Sequence, residues 1–290
     1  MDEKLRDRLV ELLRRASTDL PADVEAALVK ARASEEPGSS SRGIFDNILL
    51  NVELARKAST PICQDTGSIL FEVRIPRGFD DRVMREALLA AATTATKSYY
   101  LRPNAVDSLT GKNSGSNVGI HSPVVHLETW DDDSVQVRVL LKGGGSENVS
   151  TQFRLPDSSL QAGRDLKGVR KLVLKAVYDA QGKGCSPGVI GVAIGGDRMS
   201  GYQFAKEQLF RKIGQRSDNP DVAKLETELV TDLNTLGIGP MGLGGKTTVL
   251  DVFIGAQHRH PATYFVTVAY MCWACRRRTM TIRKDEVTYD

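Results

Sequence analysis

Glycine in this chain collects at the ends of short apolar runs, and that pattern limits the fold more than any other feature. Val135 to Leu141 runs straight into Lys142-Gly-Gly-Gly-Ser146. Val189 to Ile194 is entered from Gly182–Gly188 and left at Gly195-Gly196-Asp197-Arg198, and Thr248 to Ile254 follows the glycine-dense Gly237 to Gly245. Glycine reaches left-handed backbone and lets other backbone or a ligand approach closely. Each run therefore reads as a strand joined to a shaped loop.

The rest of the chain alternates helix and strand signals. Leu5, Leu9, Leu12 and Leu13 share one helical face over residues 3–16. Pro21 opens a second helix and residues 42–57 form a third. A strand is predicted over Ser68 to Ile75, followed by an Ala-rich helix over Asp80 to Tyr99. Val124 to Trp130 and Val135 to Leu141 read as a hairpin around Asp131–Asp133. Further helices are expected at 165–179, 201–211 and 222–236, and further strands at 263–269 and 279–282. Leu101 to Gly119 is polar and without a period, long for a plain connector, as functional loops often are.

The class implied is mixed α/β of the α+β kind: short mixed sheets flanked by helices, with a helical N-terminal region over residues 1–58. The order is too irregular for a barrel or a doubly wound sheet. No boundary can be placed, so 1–290 is read as a single domain.

Thirty-nine basic residues against thirty-six acidic ones leave a formal charge of +3. A nucleic-acid surface needs basic residues concentrated on one face. The one dense run, Arg276 to Arg278, reads either as a solvated or salt-bridged strand start or as carrying a functional arginine. No segment approaches the roughly 18 apolar residues of a membrane span, and Met1 to Arg15 lacks the apolar stretch of a secretion signal. The expected compartment is the cytoplasm, with neither nucleic acid nor membrane as partner.

In a reducing compartment the four cysteines are thiols or metal ligands rather than disulfides. Cys63, Cys185 and Cys272 each sit in or beside a turn next to a short strand. Thiolates bind iron-sulfur clusters, and three on a four-iron cluster leave one iron open to act as a Lewis acid. The alternative is three ordinary cysteines behaving as small hydrophobes. Cys272 and Cys275 also form Cys-x-x-Cys, but they follow a strand and precede three arginines, a poor setting for a redox dithiol.

Gln64 and Asp65 follow Cys63 directly. Gln64 can hold a ligand through its amide, and Asp65 can move a proton or serve as a turn-former accepting local backbone bonds. Of the four histidines, His260 precedes the strand leading to Cys272, and an Asp65–His260 pair would fix the imidazole tautomer. Gly143, Gly144 and Gly145 form a candidate anion nest beside Lys142, or a flexible turn. Arg102 is a candidate carboxylate clamp. A phosphate loop ending at Gly245-Lys246-Thr247 fails because Pro240 stands where its first glycine belongs.

Six strings in order carry a resemblance: Pro61-Ile-Cys-Gln-Asp-Thr-Gly67, Thr110-Gly-Lys-Asn-Ser-Gly115, Lys142-Gly-Gly-Gly-Ser-Glu-Asn148, Cys185-Ser-Pro-Gly-Val-Ile-Gly191, Gly237-Ile-Gly-Pro-Met-Gly-Leu-Gly-Gly-Lys-Thr247 and Cys272-Trp-Ala-x-Arg-Arg277. Together they resemble the α subunit, or N-terminal domain, of the class I iron-sulfur fumarate hydratases and the related L-tartrate dehydratases. The resemblance implies that Cys63, Cys185 and Cys272 hold a [4Fe–4S] cluster and that Cys275 does not. It implies that Gln64, Arg102 and Gly143 to Gly145 face a small dicarboxylate, and that Asp65 and His260 handle a proton. It also implies a separate β subunit, in an α2β2 assembly, without which the chain is inactive. Fumarate is the expected substrate, with tartrate or mesaconate as alternatives and a non-catalytic iron-sulfur assembly role as a more distant one.

Overall fold

The structure, a computed structural model, describes residues 3–284 and 286–290. In chain order its elements are α1 (Glu3–Thr18), α2 (Ala22–Ser34), α3 (Ser40–Ala58), β1 (Ser68–Pro76), α4 (Asp81–Lys97), β2 (Val124–Trp130), β3 (Val135–Lys142), α5 (Gly144–Asn148), β4 (Thr151–Arg154), α6 (Leu166–Ala180), β5 (Gly188–Ile194), α7 (Arg198–Gln208), α8 (Pro220–Asn234), β6 (Val249–Ala256), β7 (Phe265–Met271), β8 (Arg277–Arg283) and β9 (Glu286–Tyr289). This is the mixed α/β class the sequence implies. The elements gather into two compact units, each assembled from separated stretches. One takes Met1–Pro21, Leu50–Gly144 and Ala274–Asp290; the other takes Ala22–Leu49 and Gly145–Trp273.

The first unit is built on a five-stranded sheet in the order β2-β1-β3-β8-β9. Ile69, Phe71, Val73 and Ile75 alternate along β1 into a core shared with Leu5, Leu9, Leu12 and Leu13 of α1 and Ala87, Leu88, Ala91, Ala92 and Ala95 of α4. The alanines keep α4 slim, so the leucines of α1 reach the space between helix and sheet. Each fully buried leucine there contributes about 1.5–3 kcal/mol.

The hairpin expected between β2 and β3 does not form. β1 lies between them, parallel to β2 and antiparallel to β3. The reason is burial. β1 is covered from Ile69 through Val73, as a central strand must be. β2 carries His126 and Glu128 and accepts the edge. Glu72 on β1 stands opposite His126 on one side and Arg138 on the other, and its carboxylate meets His126 Nδ1 at 2.9 Å.

The solvated reading of Arg276 to Arg278 is also overturned: the three are 1%, 6% and 8% exposed. They lie where the chain re-enters the sheet at β8. Arg278 donates to the Leu20 carbonyl at 2.8 Å and to Asp19 at 3.2 Å.

The second unit holds a four-stranded sheet in the order β4-β7-β5-β6. β5 is buried throughout, and Ile190, Val192 and Ile194 pack with Val169, Leu172 and Val173 of α6 and Leu225, Leu229 and Leu233 of α8. Opposite residues face α7. Gly191 is required there, since a Cβ on it would stand 2.1 Å from the Ala205 carbonyl oxygen. Glu226 anchors α8: fully buried, it takes two bonds from Arg211 and the N–H groups of Ser217 and Ile254. No helix among the described residues is long and apolar enough to cross a membrane.

Candidate active site

The loop between α3 and β1 supplies Cys63, Gln64 and Asp65 to the first unit. Its course is fixed at Gly67, which has φ +83° and where a Cβ would meet the backbone of Leu141 and Lys142 at 2.8 Å. This close crossing sets Asp65 beside the glycines that follow β3. Asp65 Oδ1 accepts the Gly67 N–H at 3.0 Å, and Oδ2 accepts the Gly144 N–H at 2.7 Å. Both readings of Asp65 are thus compatible with one geometry. Its carboxylate closes a local turn, and it also sits in the glycine turn that the sequence offered as a nest for a ligand anion. Gly143 has little room there, because a Cβ would lie 3.0 Å from Asp65 Oδ2.

Arg102 joins the same corner. Its backbone N–H donates to Thr66 Oγ1 at 3.1 Å and its guanidinium to the Gln64 carbonyl at 3.3 Å. Thr66, fully buried, also accepts from Asn104 Nδ2 at 2.9 Å. Asn117 holds the loop from behind, donating to the Arg102 carbonyl and accepting the Asn104 N–H. Arg102 and the Gln64 side chain are left exposed, and the Gln64 amide makes no hydrogen bond among the described residues. The sequence thus brought Gln64, Asp65, Arg102, Gly143 and Gly144 to one place. It missed the supporting Thr66, Asn104 and Asn117; the last two were visible only as polar residues in an unperiodic stretch. It also left Arg276 undecided, and Arg276 Nη1 donates to the Asp65 carbonyl at 2.8 Å.

In the second unit, Cys185 closes the 3-10 turn Gln181–Gly184 in left-handed conformation, with φ +56°. Its carbonyl accepts the Trp273 N–H at 3.1 Å, which places Cys272 beside it. Near both lies Tyr270, whose hydroxyl is pushed upward in pKa by burial and further by the neighbouring Cys272 and Cys185. Gly184 and Gly188 make room for that ring, since a Cβ on either would stand within 2.6 Å of it. Gly145 falls in this unit, where its Cβ position is 3.0 Å from the Lys183 carbonyl in the same turn.

The Gly237–Gly245 loop braces the Cys185 turn. Ser186 Oγ donates to the Gly239 carbonyl at 2.6 Å, and the Met241 N–H donates to the Ser186 carbonyl at 2.8 Å. Glu35 accepts the N–H groups of Lys246 and Thr247, at 2.9 and 3.1 Å to its Oε1. These amides are held by a buried carboxylate, in keeping with rejection of a phosphate loop.

His260 lies elsewhere in the same unit. It precedes β7 and Cys272 follows it, so a strand of about 20 Å at 3.3 Å per residue separates them. Its Nδ1 accepts the Ala262 N–H at 3.1 Å. It lines a cavity of about 480 Å³ with Asp197, Ser200, Gln257 and His258.

An iron-sulfur cluster is held by reduced, accessible thiolates. None of the four cysteines is in a disulfide; Cys63, Cys185 and Cys272 are half-buried, whereas Cys275 is buried. No three His, Cys, Asp or Glu side chains among the described residues converge on a single-ion site. A cluster takes its thiolates on separate irons; Cys63 in the first unit and Cys185 and Cys272 in the second are each an accessible soft donor of the kind it takes.

The chain is similar to known proteins along nearly its whole length. The family described as Fumarate hydratase (Fumerase) matches residues 6–281. A Geobacillus stearothermophilus protein named "Putative fumarate hydratase class I" is 48% identical over 278 residues, covering 95% of this chain and 54% of that protein. A Methanocaldococcus jannaschii protein named "Putative L(+)-tartrate dehydratase subunit alpha" is 37% identical over 287 residues, covering 97% and 99%. The Escherichia coli K12 L(+)-tartrate dehydratase subunit alpha is 33% identical over 289 residues, covering 97% and 92%. The chain spans about half the length of the first relative and nearly all of the other two. It belongs to the fumarate hydratase (Fumerase) family.

Proposed function

We propose that this chain is the α-type subunit of a hydro-lyase that interconverts fumarate and L-malate. The observation that carries the reading is the Asp65 corner: a carboxylate seated on two backbone N–H groups beside exposed Gln64 and Arg102, in a loop that also presents Cys63. The 48% identity to a protein named for fumarate, against 37% and 33% to proteins named for tartrate, favours fumarate.

The residues proposed to hold a [4Fe–4S] cluster are Cys63, Cys185 and Cys272. Such a cluster, with one iron lacking a protein ligand, supplies Lewis-acid polarisation of a hydroxyl. Arg102 binds a substrate carboxylate through its paired N–H groups, and the Gln64 amide orients the same end. Gly143, Gly144 and Gly145 keep side chains out of the ligand's way. Asp65 gives or takes the proton at the departing hydroxyl, which is why its rigid seat matters. The base for the carbon proton is assigned to a second chain. His260 is proposed as a further proton carrier on resemblance alone.

The two relatives named as α subunits, which this chain matches almost end to end, support a separate β chain, and an α2β2 assembly is proposed with it. They also support the second reading, an L-tartrate dehydratase. The test is anaerobic co-purification with the β chain, followed by assay on malate, tartrate and mesaconate. Malate turnover well above the other two is expected. Tartrate preference would transfer the chain to the second reading. Iron-sulfur absorbance with no turnover of any of the three would remove the enzymatic reading and leave an assembly role.

A further inference from the structure

Arg276 is the largest fully buried side chain among the described residues, at 1% exposure. Burying a guanidinium is costly unless a carboxylate meets it. Here none does: the one side-chain bond it makes among the described residues is to the backbone carbonyl of Asp65, at 2.8 Å. Its Nε has no acceptor. Its Nη2 lies 3.8 Å from the position a Cβ on Gly143 would take, and Asp65 Oδ2 lies 3.0 Å from that same position. Guanidinium and carboxylate thus flank Gly143 without forming an ion pair. A purely structural position would be served better by an apolar side chain of similar volume.

We propose that Arg276 is the positioning residue for Asp65. It clamps the Asp65 peptide so that the carboxylate keeps its seat on the Gly67 and Gly144 N–H groups, and Gly143 is the spacer thin enough to let both approach. The proposal rests on the fumarate-hydratase reading only for what the seat is used for; the clamp itself is a property of the fold. Lysine cannot replace it, because a single ammonium lacks the planar fork that reaches the carbonyl while filling the space beside Gly143.

The test compares wild type, Arg276→Lys, Arg276→Met and Gly143→Ala, each purified anaerobically with the β chain. The first readout needs no turnover: amide hydrogen exchange at Gly67 and Gly144. Both amides are expected to exchange at least tenfold faster in the Arg276 variants, while strand amides of β1 and β3 keep their protection. The second readout is kinetic. A misplacement near 1 Å costs on the order of a hundredfold, so kcat is expected to fall by about that factor while KM moves less than threefold. In an Asp65→Asn background the same Arg276 change is expected to cost nothing further, because it acts through Asp65. Gly143→Ala, which leaves Arg276 intact but crowds the carboxylate, is expected to reproduce the kinetic loss.

Unchanged exchange at Gly67 and Gly144 in Arg276→Met would overturn the proposal. So would protection lost evenly over the whole sheet, which is what a merely structural residue gives. Full activity in Arg276→Lys would overturn it as well. If wild type turns over no hydroxy acid, the functional reading fails on its own and the exchange arm still decides the clamp.

Discussion

Arg276 and Asp65 are joined through a backbone atom and not through their charges. The guanidinium donates to the Asp65 carbonyl at 2.8 Å, while the Asp65 carboxylate turns to the amides of Gly67 and Gly144. This leaves the carboxylate with lone pairs on both oxygens for a further partner. A direct Arg–Asp pair would have spent them on each other. The arrangement suits a carboxylate that has to exchange a proton with something other than its own scaffold.

The thiols divide by exposure, and their mutants are expected to divide the same way. Cys63→Ser, Cys185→Ser and Cys272→Ser should each lose most of the iron and the associated visible absorbance after anaerobic reconstitution. Cys275→Ser, buried at 1%, should keep both. Iron and sulfide content per chain is the measurement. A full complement of iron in any of the first three variants removes that residue from the ligand set.

Asp65→Asn preserves shape and hydrogen-bond acceptance at one oxygen but cannot exchange the proton. Loss of a general acid–base group costs typically 10²–10⁴-fold, so kcat is expected to drop by at least a hundredfold with iron content intact. His260→Asn is the discriminating companion. His260 stands at the opposite end of β7 from Cys272, so a residue of purely local importance there would leave kcat within a few-fold of wild type. A loss as deep as that of Asp65→Asn would establish His260 as a working proton carrier despite that separation.

Much of this site was legible because its loops are written in residues with few other uses. Pro61 to Gly67 and Lys142 to Asn148 each announce a shaped turn, and the structure brings their neighbours together through the Asp65–Gly144 bond. What could not be read was non-local. β2 and β3 are adjacent in sequence and look like a hairpin, yet β1, from further upstream, is the more apolar strand and takes the place between them. The return of Ala274–Asp290 to the unit begun by residues near the N-terminus leaves no local mark. Arg276 was opaque for the same reason: three consecutive arginines read either as a solvated or salt-bridged strand start or as carrying a functional arginine until the sheet that buries them is known.

Arg102 is exposed, and its position depends on backbone contacts made by Thr66 and Asn117. Arg102→Lys keeps the charge but loses the paired N–H groups. KM for the dicarboxylate is expected to rise roughly tenfold or more, with kcat changed less, since uniform binding is what has been removed. Asn117→Ala should produce a milder version of the same KM effect, because it loosens the loop without touching its charge. Steady-state kinetics on both variants checks this. A kcat loss with unchanged KM would move Arg102 from binding to catalysis.

Glu226 tests the scaffold of the second unit independently of the chemistry. Its carboxylate is fully buried and meets Arg211 and two backbone amides, one of them Ile254 on β6. Glu226→Ala removes the Arg211–Glu226 ion pair and strips a strand amide of its acceptor. Breaking a buried pair from one side costs about 3–5 kcal/mol, a large share of the stability of an ordinary domain. The variant is expected to melt well below wild type. The double variant Glu226→Leu with Arg211→Met removes both charges together and should recover part of the loss. Thermal denaturation of the three proteins measures this. If the single variant melts with wild type, the carboxylate is not what holds α8 to the sheet.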